Sequence, residues 1–245
     1  MIKNIKDIYG TKLAALDGEI GEVKDFYFDD VTWAIRYLVV DTGTWLSSRL
    51  VLLSPHLLGK LDDYGKILHV KLHKKQIESS PSTETHKPVS RQDEIDYYRY
   101  YGLPAYWNGD ALWGVGGYPS VLPRAKDALE AAQDHKGDDP HLRSTKGVTG
   151  YAIHATDGEI GVVSGFTVDD RSWAMGEMAV QTGHWYSGRE ILIATSMIGR
   201  IDYEASEVHV NVSKSAIERT AGHQVVTGGA WVRKVPEDSS AGLKT

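Results

Sequence analysis

Several residues in this chain have side chains able to do chemistry. Asp29-Asp30 and Asp169-Asp170 pair carboxylates, the hard oxygen donors that divalent cations prefer. Each pair stands between two strand-like segments with no further acid at coordinating spacing, so both are expected to build turns. His69 and His209 recur on the outward side of an alternating strand, each without a second histidine at ligand spacing along the chain. His184 lies beside Trp185 and Arg189, but its counterpart Thr44 is no base and no nucleophile pattern surrounds it. Arg49 and Arg189 could grip an anion; the reading taken here is a charge-assisted hydrogen bond to a turn carboxylate or a backbone carbonyl. Cysteine is absent, which excludes disulfides, thiolate catalysis and Cys-ligated zinc. No GxGxxG or P-loop pattern occurs, and Gly114–Gly117 reads as a plain glycine-rich loop. The expectation is a protein that is not an enzyme and holds neither cofactor nor metal.

Aromatic residues crowd the middle of the chain. Tyr97, Tyr98, Tyr100, Tyr101, Tyr106, Trp107, Trp113 and Tyr118 could stack bases, sugars or a tetrapyrrole. Such rings more commonly bury area in a core or an interface while a polar tip is satisfied. Tyr97, Tyr98, Tyr101, Tyr106, Trp107 and Trp113 are therefore the candidate interaction surface, packed on a neighbouring domain or across a homodimer. Residues 79–89 are polar with two prolines and read as a loop. Ser90 is placed to cap a helix that runs to about Tyr101, where Gly102 and Pro104 end it. A second helix is expected from Arg124 to about His135. After Ile217 the tail turns glycine-rich; Trp231-Val232 is placed to dock on a barrel, and disorder is expected from Glu237 onward.

What positions these groups is a duplication. Asp17-Gly18-Glu19-Ile20-Gly21 returns as Asp157-Gly158-Glu159-Ile160-Gly161, and the same offset of 157 − 17 = 140 carries Trp33-Ala34 onto Trp173-Ala174. It also carries Thr42-Gly43, Trp45, Ser47 and Arg49 onto Thr182-Gly183, Trp185, Ser187 and Arg189. Between residues 13 and 78 the register needs no gap and holds 26 identities in 66 positions, where ordinary composition would give about 4 by chance. Gly18, Gly21, Trp45 and Arg49, with Gly158, Gly161, Trp185 and Arg189, are the repeated structural motif. Each copy reads as short strands separated by Gly and Asp turns. The last strand alternates, with Leu68, Val70 and Leu72 on one face and His69 and Lys71 on the other. The counterpart places Val208, Val210 and Val212 inward. The reading is mainly β: two small β-barrels related by internal duplication and joined by a short helical, aromatic-rich linker. The boundaries are 1–80 for the first, 81–144 for the linker, 145–222 for the second and 223–245 for the tail.

The run Asp17-Gly18-Glu19-Ile20-Gly21, the strand ending Tyr37-Leu38-Val39-Val40-Asp41-Thr42-Gly43, and Trp45-Leu46-Ser47-Ser48-Arg49 before Val51-Leu52-Leu53 resemble the PRC-barrel domain. That barrel is named for the cytoplasmic part of the photosynthetic reaction-centre H subunit, and a similar domain ends a bacterial ribosome-maturation factor. The second copy departs from the pattern, with Gln181 where Asp41 stands and Glu190 in place of Leu50. The family shares no catalytic residues to carry over. Neither a membrane helix nor an RNA-factor domain precedes the first copy, so the resemblance implies a stand-alone tandem-barrel protein.

The formal charge of −6 opposes broad contact with nucleic acid or anionic lipid, which both favour a basic field. No run approaches a membrane helix, and the charged start does not read as a signal peptide. A cytoplasmic protein without membrane insertion is expected. Its role would be non-enzymatic binding or scaffolding, with a protein or a second copy as partner and nucleic acid disfavoured. The alternatives are an RNA- or ribosome-associated factor, or a small-molecule or pigment-handling protein working through the aromatic linker.

Overall fold

A computed structural model of the chain describes residues 1–61, 66–81, 91–107, 112–113, 142–184, 188–221 and 232–234. Trp185, Ser187, the Ser90 cap, Gly114–Gly117, Tyr118, the 124–135 helix, Trp231 and the tail from Glu237 lie outside them. Two sheets carry the fold. The first contains β2 (Lys12–Ala15), β3 (Gly18–Asp29), β4 (Ala34–Asp41), β5 (Leu50–Leu53), β6 (Leu58–Leu61) and β7 (Ile67–Val70), in the order β5-β4-β3-β2-β7-β6. The second contains β9 (Ala152–Ala155), β10 (Gly158–Asp169), β11 (Met175–Thr182), β12 (Glu190–Ala194), β13 (Ile198–Asp202) and β14 (Glu207–Val210), in the order β12-β11-β10-β9-β14-β13. Strand for strand the orders match, so the duplication holds in topology as well as sequence. Three short strands extend the sheets: β1 (Ile2–Asn4) on β10, β8 (Leu142–Ser144) on β3 and β15 (Val232–Lys234) on β12.

The same local physics shapes both copies. β2 pairs β3 through a tight hairpin, and β2 runs parallel to β7. A bulge at Glu19–Gly21 recurs at Glu159–Gly161. Gly21 (φ 133°) and Gly161 (φ 147°) sit at these bulges in conformations that L side chains avoid. A Cβ on Gly21 would lie 1.9 Å from the Asp41 carbonyl oxygen, and one on Gly161 would lie 2.1 Å from that of Gln181. Backbone passes too close to backbone there for any side chain. Asp17 does not shape its own turn by a positive φ. Its carboxylate instead accepts a 2.9 Å bond from the Lys74 amide at the start of helix α1 (Lys74–Glu78), and Asp157 does the same for Lys214 at 2.8 Å.

The chain forms two compact units, and they are not the two repeats. The first comprises Met1–Gly147 together with Val168–Met175; the second comprises Val148–Thr167 and Gly176–Thr245. Inside the first unit, Ile35 donates to the Trp173 carbonyl (2.8 Å) and Met175 to that of Trp33 (2.7 Å). Under the 140-residue offset each of these bonds maps onto the other. Both carbonyls belong to tryptophans held at positive φ, 57° for Trp33 and 56° for Trp173, a costly conformation for so bulky a residue. Phe26 and Phe28 lie fully buried beside them.

Strand β4, Ala34-Ile35-Arg36-Tyr37-Leu38-Val39-Val40, is buried on both faces, the pattern of a strand covered from two sides. One cover is helix α2 (Arg91–Tyr101). It ends where the sequence indicates: Gly102 adopts φ 63°, Leu103 N–H bonds the Tyr98 carbonyl and Gly102 N–H that of Arg99, the Schellman arrangement. Among the described residues no helix is long and apolar enough to cross a membrane.

Candidate functional site

The aromatic linker is the first place to look, and it faces inward. Tyr97, Tyr98, Tyr106 and Trp113 are buried, while Tyr101 and Trp107 are half-buried. Tyr97 Oη donates to the Leu52 carbonyl (3.1 Å) and accepts from Ser54 N–H (2.8 Å), which ties the helix to β5. Tyr37 and Tyr106 both donate to Glu94 Oε1 at 2.8 Å. Burial, with the neighbouring Glu94 charge, drives the Tyr37 phenol far above its usual range; burial raises Tyr97 as well, and takes Tyr101 to about 12. Arg36, 1% exposed, is paired with Asp29 at 3.1 Å, donates to the Leu112 carbonyl at 2.6 Å, and lies 3.8 Å from the Tyr106 ring centre. Burial would raise the Asp29 carboxyl, but the Arg36 charge and the Thr32 and Val31 amides hold it below the ordinary value.

Here the buried rings cover the protein's own first sheet. Sequence reasoning missed Arg36, although a charge inside an apolar strand was its signal. At the corresponding places the second copy has Gly176, which is exposed, and Glu177, which is half-buried.

The aspartate pairs are turn residues. Asp29 accepts Val31 and Thr32 N–H, and Asp169 accepts Arg171 and Ser172 N–H, all within 3.0 Å. Arg49 reaches the carbonyls of Glu78 (3.2 Å) and Ser80 (3.0 Å). The loop before it is locked by Thr42, whose hydroxyl bonds the Arg49 carbonyl at 2.7 Å, as Thr182 bonds that of Arg189 at 2.6 Å. Gly18 and Gly158 leave room for Lys74 and Lys214, whose ammonium groups a Cβ there would meet at 3.3 and 3.1 Å.

Above this repeated frame the first unit carries a surface groove of about 330 Å³, lined by Lys12, Glu19, Gly21, Glu22, Asp41, Thr42, Gly43, Thr44 and Trp45. Trp45 forms its aromatic wall. The indole N–H is pinned to the Ile20 carbonyl at 2.7 Å, and the Lys74 ammonium lies 5.3 Å from the ring centre. Lys12 is held by Glu19 at 2.7 Å, and Asp41 Oδ1 fixes the Gly43 amide at 2.9 Å. Three carboxylates and the Lys12 and Lys74 ammonium groups thus surround an indole that cannot swing away. The second copy puts Ala152, Val162, Gln181 and His184 where the first has Lys12, Glu22, Asp41 and Thr44. The frame and Glu19 (Glu159 in the second copy) are shared, but Lys12, Glu22 and Asp41 belong to the first copy.

Residues 2–84 match the family model of the PRC-barrel domain. No curated protein matches the chain. The match spans the first copy, and the second repeats its motif and its strand order.

Proposed function

We propose that the PRC-barrel domain of residues 2–84 is a non-enzymatic docking module, and that the Trp45 groove takes a basic segment of a partner protein. The observation that carries this reading is the groove's make-up: a pinned indole wall beside Glu19, Glu22 and Asp41, three carboxylates against the ammonium groups of Lys12 and Lys74. A cationic side chain gains from both, through the ring face and through charge-assisted bonds to carboxylates. The acidic lining repels phosphate, which speaks against an RNA partner at this place. The pigment alternative relied on linker rings that this chain uses to cover its own sheet.

Titration of the full chain with a short oligo-lysine peptide, followed by amide and indole NMR shifts, tests the reading. Perturbations should centre on Gly43, Thr44 and the Trp45 indole N–H, weaken with added salt, and vanish in the Glu22→Gln/Asp41→Asn variant. Shifts spread evenly over acidic surface, or unchanged in that variant, would overturn it. A partner photo-crosslinked from position 44 but not from the exposed Val31 would then identify the protein engaged.

A further inference from the structure

The outer face of the second sheet brings together side chains that are far apart in sequence. β14 runs parallel to β9 with His209 beside His154, and antiparallel to β13 with His209 beside Arg200. The two imidazoles stack with centres 5.4 Å apart. Glu207, two residues before His209 and so on the same face, reaches both: His154 Nε2 to Oε1 is 3.5 Å and His209 Nε2 to Oε2 is 3.3 Å. All three side chains are about one-third exposed. The sequence reading saw His209 as solitary because its companion lies across a strand pair. The first copy lacks the set, with Ala14 in place of His154 and Ile67 in place of Glu207.

We propose that His154, His209 and Glu207 form a binding site for a late first-row divalent cation, with Zn²⁺ as the type. Two neutral imidazoles and a carboxylate are the donor set such ions take, leaving a fourth position for water or a partner's ligand. The surrounding charge favours a cation: Glu159 stands across from His154 and Asp202 across from Glu207, with Arg200 opposing. Among the described residues no group of three or more His, Cys, Asp or Glu side chains, this one included, is placed to hold a metal ion as the side chains stand. The ring nitrogens lie 3.3–3.5 Å from the Glu207 oxygens, so the three side chains must draw together around a bound cation. Arg200 competes for the same atom, since its guanidinium lies 3.2 Å from His209 Nε2. A metal bound at that nitrogen would displace the arginine.

Zn²⁺ titration of the full chain by calorimetry, with histidine side-chain NMR to locate the ion, tests the site. The wild-type chain should take up Zn²⁺ with the His154 and His209 ring resonances shifting first. His154→Ala and Glu207→Ile, which install the first copy's residues, should each weaken binding by at least about tenfold. Arg200→Ala should tighten it, an effect that a purely structural role would not produce. No Zn²⁺ uptake by the wild type, uptake that His154→Ala and Glu207→Ile leave unchanged, or weaker binding in Arg200→Ala would each overturn the proposal.

Discussion

At the scale of single residues, the repeated motif is a set of contacts that admit no substitute. Gly21→Ala forces a Cβ into the Asp41 carbonyl at a φ that alanine avoids. It should destabilise the chain by roughly 3 kcal/mol or more, read as a lower midpoint in chemical denaturation, and Gly161→Ala should do the same to the second sheet. Gly10→Ala is the control, because no atom lies within 4 Å of the added carbon; its cost is that of the positive φ alone. Arg36 offers a second test. Removing it as Arg36→Met leaves Asp29 without its ion pair in a largely buried place, with an expected loss of about 3–5 kcal/mol. The double variant Asp29→Asn/Arg36→Met removes both charges and should recover most of that loss, since an asparagine oxygen can still accept the Val31 and Thr32 amides.

Elements show how the linker became part of the first unit. Helix α2 is held on β4 and β5 by phenol hydroxyls that reach the backbone and Glu94, and these contacts are absent from any isolated strand. Tyr97→Phe leaves the Ser54 amide without its acceptor, at a cost of about 1–3 kcal/mol. Alkali probes the same docking. The Tyr37, Tyr97 and Tyr101 pKa values are raised in the folded chain, so the folded state holds protons that the unfolded state releases. The resulting stability is complete below the ordinary tyrosine value and is lost as pH climbs from about 10 towards about 12 and beyond. The share of phenolate absorbance that comes from Tyr37, Tyr97 and Tyr101 should therefore rise together with loss of the fold, not ahead of it. Ionisation of all the tyrosines at the ordinary value, with the fold intact, would contradict the burial described.

At the scale of the whole chain, acid should act through the turn carboxylates. The Ser172 and Arg171 amides lower Asp169 to about 2, and Asp29 and Asp17 are lowered as well. Folded values below the unfolded ones mean stability that is present above the ordinary aspartate value of 3.8 and is lost as pH falls from there towards about 2. The thermal midpoint should drop across that window, and Asp169→Asn should flatten part of the drop. Of the rings that suggested a homodimer, Tyr97, Tyr98, Tyr106 and Trp113 are covered within the chain. Sedimentation of the wild type and of the Glu22→Gln/Asp41→Asn variant would show whether a second copy is ever the partner.

The sequence by itself determined the duplication, the mainly β class, the turns and the alternation of the last strands. Each of these is a short-range matter, settled by the period of apolar residues and by glycine and aspartate at bends, and a gapless offset made the two sheets legible at once. Asp29 and Asp169 as turn residues were legible for the same reason. Only the tertiary structure decided which surface the linker rings face, because Tyr97 and Glu94 find their partners Leu52 and Tyr37 more than 40 residues away. It likewise decided that Val168–Met175 joins the first unit, through bonds between backbone groups that carry no sequence signature. His154 and His209 became neighbours only when β9 and β14 paired in parallel, a register set by burying Ile153 and Val208 on the opposite face. Periodicity along a chain reports which face a residue takes, but which residue stands beside it is fixed by strand order.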